Sequence, residues 1–411
     1  MQFTTLFFTL GPIGESFAPN IGVMSAGRLV SGLGAGASVV VVPIYISEIA
    51  PPTEKGFFGS FTQIMINMGI FIAQLLGYFL SKGQLWRIIL AAGGVIAIGQ
   101  FVGLLFAADS PKWQADHDEP RKAKANLKRI RGHNVDIDEE VSGWRPSEHE
   151  RNEEEQSLLD NEDHMSHHSG SVTKTETVKQ DVVGIFQVLY RPEYNRGTIA
   201  VVIVMMGQQL CGKTGKFYTG DLKLMFAGIN SIVMYGVSLL ADLLKSNSAL
   251  LNVLVSVLNI VATTAFAPLI DILGRRKCLL GSIAGMGVSS VLLAIGIRTS
   301  MSAMSAIAVL LFVTSFGFGL GPVPFILSSE LVGPEAVGAT QSWALAANWI
   351  ATFVVAQFFP IANVKLGKGN IYFVFAGVAA FFFGFVFWRV PETKGKKDLE
   401  EVWGQEPQRS G

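Results

Sequence analysis

The chain has 411 residues, half of them hydrophobic and only 16% charged, with acidic and basic residues in equal number. An ordinary soluble domain carries about 25% charged residues, so a deficit of this kind excludes one large water-soluble core and points to lipid. Zero net charge gives no electrostatic case for nucleic acid or a strongly charged partner. Two cysteines, Cys211 and Cys278, cannot build a disulfide framework.

A membrane helix needs roughly 20 mostly apolar residues. The opening stretch, 2–18, is apolar but has no positive leading region, so it reads as a membrane helix rather than a cleaved signal. Further spans are predicted at 22–46, 58–80, 86–107, 197–211 continuing through 228–244, 249–272, 278–297, 303–329, 338–360 and 370–389. These ten describe an all-α, polytopic membrane protein. Between the fourth and fifth lies a polar stretch, 109–196. It opens with the helix-forming DEPRKAKANLKRIRG and continues into an acidic segment too polar to bury a core. Basic residues gather on the side of this loop: Lys55, Arg275, Arg276, Lys277 and the tail from Arg389. That distribution places the loop and the C-terminus in the cytoplasm.

Motifs stand at the ends of these spans. GRLVSGLGAG, with Arg28, opens the second, which closes on PIYISEIAP with Glu48. DSPKW follows the fourth, DILGRRK (Asp271, Arg275, Arg276, Lys277) the sixth, and VPETKG (Glu392) the last. An arginine within an apolar helix is costly and is usually functional and paired. Side-chain amides inside spans are equally informative, because they both donate and accept hydrogen bonds, as a neutral polyol requires. They occur at Gln74, Gln208, Gln209, Asn230, Asn259 and Asn348.

In this order, at these helix ends, the motifs resemble the sugar porter family of the major facilitator superfamily, most closely fungal members of the vacuolar or sorting-associated kind. The resemblance implies a major facilitator fold of twelve helices, of which the ten here correspond to the third through twelfth. It implies an incomplete N-terminal bundle at 1–108, a cytoplasmic linker at 109–196, a C-terminal six-helix bundle at 197–390 and a tail at 391–411. It further implies alternating-access transport of a hexose or related polyol, by uniport or proton symport, with no enzymatic chemistry, cofactor or metal. Gln74, Gln208, Gln209, Asn230, Asn259, Phe325 and Asn348 would bind the sugar, with Trp349 beside the last. Phe325 stands where many members have tryptophan, and Gly317 where many have an acid. Arg28, Glu48, Asp271, Arg275, Arg276, Glu330 and Glu392 would form the cytoplasmic charge network, and neutralising Arg276 would abolish transport.

Residues 212–227 interrupt the fifth span and bring Lys213, Lys216, Asp221 and Lys223 into an apolar helix. Each costs about 2.5–3.5 kcal/mol there, so this segment is expected to be an insertion such as a retained intron, or else an external loop. The junction reproduces G-x-x-x-x-G-K-T at Gly207–Thr214, but no strand–helix alternation follows, so nucleotide binding is not expected. In the loop, Glu154 with Leu158 and Leu159 resembles an acidic dileucine sorting signal read by an adaptor. His164, His167 and His168 are expected to be solvated. Residence is expected in a vacuolar, endosomal or plasma membrane. A transporter-like sugar sensor and an inactive product of a truncated gene are the alternatives.

Overall fold

The computed structural model describes residues 1–51, 54–80, 83–116, 120–132, 137–141, 183–210, 248–366, 369–396 and 399–404. Regular structure among them is entirely helical. In chain order the helices are α1 Gln2–Ser16, α2 Ile21–Ile49, α3 Lys55–Leu80, α4 Trp86–Leu105, α5 Pro111–Asp116, α6 Pro120–Arg131 and α7 Asp138–Val141. After the undescribed stretch come α8 Gln187–Tyr190, α9 Pro192–Leu210, α10 Ser248–Leu273, α11 Arg275–Arg298, α12 Ser302–Phe318, α13 Val323–Glu330, α14 Val337–Leu366, α15 Asn370–Arg389 and α16 Leu399–Trp403.

Every predicted span has a helix in its place, although only the first half of the fifth is described. Among the described residues, seven stretches are long and apolar enough to cross a membrane, counting α12 through α13 as one. Large apolar side chains such as Leu29, Val95, Phe381 and Trp388 stand exposed along them. Water would penalise such a surface, whereas hydrocarbon solvates it. These spans and this apolar surface make the chain an integral multi-pass membrane protein.

Local sequence explains the boundaries. Asn20 caps α2, its Oδ1 accepting from the Val23 amide at 2.9 Å, and Pro51 follows its end. Gly274 separates α10 from α11 with a φ of +94°, a left-handed conformation that favours glycine. A Cβ there would also strike the Glu392 carboxylate. The stretch predicted as one helix at 303–329 is instead broken. The run GLGP at 319–322 ends α12, because Pro322 lacks a backbone donor and a Cβ on Gly319 would collide with the Cys278 carbonyl.

The chain divides into two compact units. One comprises Met1–Phe101 with Val182–Gly411, and the other Val102–Asp181. In the first, α1 packs on α2, α3 on α10, α9 on α14, and α11 on both α12 and α15. Its main core draws on α9 and α11–α15, with Met205, Leu279, Met286, Phe312 and Leu327 fully enclosed. A satellite core gathers Val183 and Val188 with Val332, Ala336 and Val337, and the Trp343 indole N–H donates to the Ile185 carbonyl at 2.7 Å. In the second unit α5 packs on α6, with Asn126 donating to Gln114 at 2.8 Å. The basic helix expected in DEPRKAKANLKRIRG is α6.

Candidate sugar-binding site and charge clusters

On α3, Gln63, Asn67 and Gln74 are separated by four and seven residues and share one helix face. On α10, Ser256, Asn259 and Thr263, separated by three and four residues, also share one face. The two faces meet antiparallel. Asn67 accepts from Gln63 Nε2 at 2.9 Å and from Asn259 Nδ2 at 3.2 Å, and donates to Thr263 Oγ1 at 3.0 Å. Higher on α3, Gln74 accepts from the Ser256 hydroxyl. Gln63, Asn67, Asn259 and Thr263 are all buried. Buried polar groups persist only when hydrogen-bonded, and this network nearly satisfies itself.

The second amide group grows from α9 and α14. Gln208 Nε2 donates to the carbonyls of Leu320 and Gly321, each at 3.0 Å. Those carbonyls are free because the helix breaks there. Gln208 Oε1 accepts from Asn348 Nδ2 at 2.8 Å, and Asn348 also reaches the Met205 carbonyl at 2.9 Å. Gln209 Nε2 leans on Gln208 Oε1 at 3.4 Å, whereas Gln209 Oε1 is buried with no partner among the described residues. The break joins the two groups, since a Cβ on Gly321 would lie 3.3 Å from Gln63 Cγ. Phe325, one turn beyond, is buried in the main core. Trp349 is exposed. Asn230 lies outside the described residues, as do residues 212–227 and the Glu154, Leu158 and Leu159 pattern.

Gln63 and Asn67 were not singled out in the sequence, although their same-face spacing with Gln74 was the available signal. Gly317 has a physical role, for a Cβ there would lie 3.1 Å from both the amide nitrogen and hydroxyl of Thr263. An acidic side chain has no room at that position while α10 packs this closely.

The charged residues separate into distinct groups. Arg275 is the centre of one: it pairs with Asp271 at 3.1 Å and with Glu330 at 2.9 Å, and its backbone amide donates to Glu392 at 2.8 Å. Thr393 donates its hydroxyl to Glu330. Asp271 also accepts from the amides of Gly56 at 3.0 Å and Phe57 at 2.7 Å, at the start of α3. A helix N-terminus carries partial positive charge and unpaired N–H groups, so a carboxylate there is stabilised. Arg276 turns aside, stacking 5.3 Å from the Phe387 ring and donating to the Phe387 carbonyl.

Arg28 belongs to neither arrangement. It pairs with Glu15 of α1 at 3.0 Å, and Ser31 donates to the same carboxylate at 2.7 Å. Glu48 lies twenty residues further along α2, about 30 Å at 1.5 Å per residue. Glu15, buried within an apolar helix, is a third residue that the sequence alone does not single out. Its signal was an ionisable side chain within a predicted span.

Residues 1–403 match the family described as "Sugar (and other) transporter". A probable metabolite transport protein of Saccharomyces cerevisiae is 33% identical, over 92% of this chain and 70% of that protein. The vacuolar protein sorting-associated protein 73 of the same yeast is 27% identical over 90% and 69%. Facilitated glucose transporter member 2 of Rattus norvegicus is 29% identical over 97% and 69%. Among solved structures, the proton:xylose symporter XylE bound to 6-bromo-6-deoxy-D-glucose superposes with a TM-score of 0.75 at 21% identity, covering 98% of this chain and 82% of that one.

Proposed function

Because the chain belongs to the sugar (and other) transporter family and has the major facilitator fold, we propose that it carries a hexose or related polyol by alternating access. It is a transporter and not an enzyme. The proposed sugar site is the joined amide cluster of Gln63, Asn67, Gln208, Gln209, Asn259 and Asn348, with Phe325 behind it and Gln74 one rung higher. The supporting observation is the seating of Gln208 on the two carbonyls freed at Leu320 and Gly321. Broken helices within a membrane are tolerated where they line a cavity or are buried in protein, and transporters place substrates beside them. The unpaired Gln209 Oε1 offers an acceptor to a sugar hydroxyl.

The Arg275 group is proposed as the latch that closes one mouth of the path. Arg28, paired with Glu15, and Arg276, turned to Phe387, lie outside that latch in this reading. The remaining assignments rest on sequence: the polar loop and C-terminus in the cytoplasm, an acidic dileucine signal at Glu154, Leu158 and Leu159 read by a sorting adaptor, and a vacuolar, endosomal or plasma membrane.

The test is uptake of radiolabelled D-glucose, D-mannose and D-xylose by proteoliposomes containing the full chain. Saturable uptake of one of them is expected, with KM raised about tenfold in Gln209→Leu, the worth of one hydrogen bond. No flux of any sugar would overturn the carrier reading, and binding without flux would favour a sensor. Imposing a proton gradient in the same assay separates uniport from symport.

A further inference from the structure

A cavity of about 240 Å³ lies where the end of α15 meets the start of α11 and the short α16. Arg276, Trp388, Arg389, Pro391 and Trp403 border it, and no carboxylate lines it among the described residues. Arg389 is exposed, while Arg276 Nε is buried with no hydrogen-bond partner among the described residues. Two guanidiniums beside one opening, with a buried donor unspent, are suited to an anion with several acceptor oxygens.

The surroundings specify the kind of anion. The outer face of α15 carries exposed Phe373, Val374, Phe381 and Phe387, and Trp388 is 83% exposed at its end. This face is lipid-facing in a spanning helix, and tryptophan concentrates at the level where hydrocarbon gives way to headgroups. The cavity therefore opens at headgroup depth beside acyl chains. A free anion would gain nothing from that apolar border, whereas a phospholipid uses both parts.

We propose that Arg276 and Arg389 hold the phosphodiester of an anionic phospholipid, with its acyl chains lying along the Phe381–Trp388 face. This accounts for Arg276 turning from the neighbouring Arg275 latch. It also places a lipid contact one residue from that latch, so the leaflet's composition would bear on its opening. The proposal stands apart from the sugar site and does not depend on the transported substrate.

The experiment is native mass spectrometry of the detergent-purified full chain, titrated with dioctanoyl phosphatidylglycerol or dioctanoyl phosphatidylcholine. A basic residue at a membrane surface contributes about fivefold in affinity, so the Arg276→Gln/Arg389→Gln variant is expected to bind the anionic lipid about 25-fold more weakly. Arg276→Lys/Arg389→Lys should keep most of the binding. If the double glutamine variant fails to fold by thermal unfolding, Arg389→Gln alone alters an exposed side chain and should cost about fivefold. Equal binding of the two lipids, or unchanged binding in the glutamine variants, would overturn the proposal. Displacement of phosphatidylglycerol by millimolar inorganic phosphate alone would identify a soluble-anion site and overturn it too.

Discussion

Adjacent arginines, Arg275 and Arg276, have opposite fates. The Arg275 side chain is 7% exposed and faces two largely buried carboxylates, so replacing it leaves both without their cation. Breaking a buried ion pair from one side costs about 3–5 kcal/mol. Arg275→Gln should therefore lower the thermal unfolding midpoint sharply, and Arg276→Gln, losing a cation–π contact and one hydrogen bond worth about 2 kcal/mol together, should lower it less. Equal effects would contradict the assignment. The sequence identified both as functional but could not divide them, because neighbours on a helix point about 100° apart and only the packing decides which meets Glu330. Glu15 and Asn67 were hidden for a related reason. Each becomes meaningful only through a partner on another helix, Arg28 or Asn259.

At the scale of elements, spans were legible because continuous apolar runs need no tertiary knowledge. The break between α12 and α13 was written in GLGPVP but masked by the apolar residues on both sides. The first turn of α9 shows how the entry to a spanning helix is anchored to its neighbours. Tyr194, before the spanning part of that helix, has its phenol pushed up to about 12 from 10 by burial and then by a hydrogen bond with Glu335. A raised acid pKa stabilises the fold below pH 10 and loses that contribution as pH rises through 12. Wild-type protein should thus lose stability between pH 10 and 12 more steeply than Tyr194→Phe, measured by thermal unfolding across that range. Parallel curves would remove Tyr194 from this role.

Across the whole first unit, the antiparallel meeting of α3 and α10 carries three rungs. They are Gly56 and Phe57 with Asp271, Asn67 with Asn259 and Thr263, and Gln74 with Ser256. The composition indicated lipid and the motifs indicated the family, yet this pairing could not be read from either, since it joins residues about two hundred positions apart. A Cβ at Gly56 would strike the Asp271 carboxylate. Gly56→Ala should therefore speed amide hydrogen exchange at Phe57 by at least about tenfold, one weak hydrogen bond's worth. Unchanged exchange would show that the carboxylate is not held there. The rung has an asymmetry: α10 offers a side chain, but α3 offers only peptide N–H groups, which every residue except proline possesses. An alanine scan along α3 would pass over its own half of the junction, registering Gly56 through crowding alone. Half of this contact is invisible to side-chain genetics, and natural drift there is restricted by size at Gly56 and not by any side-chain chemistry.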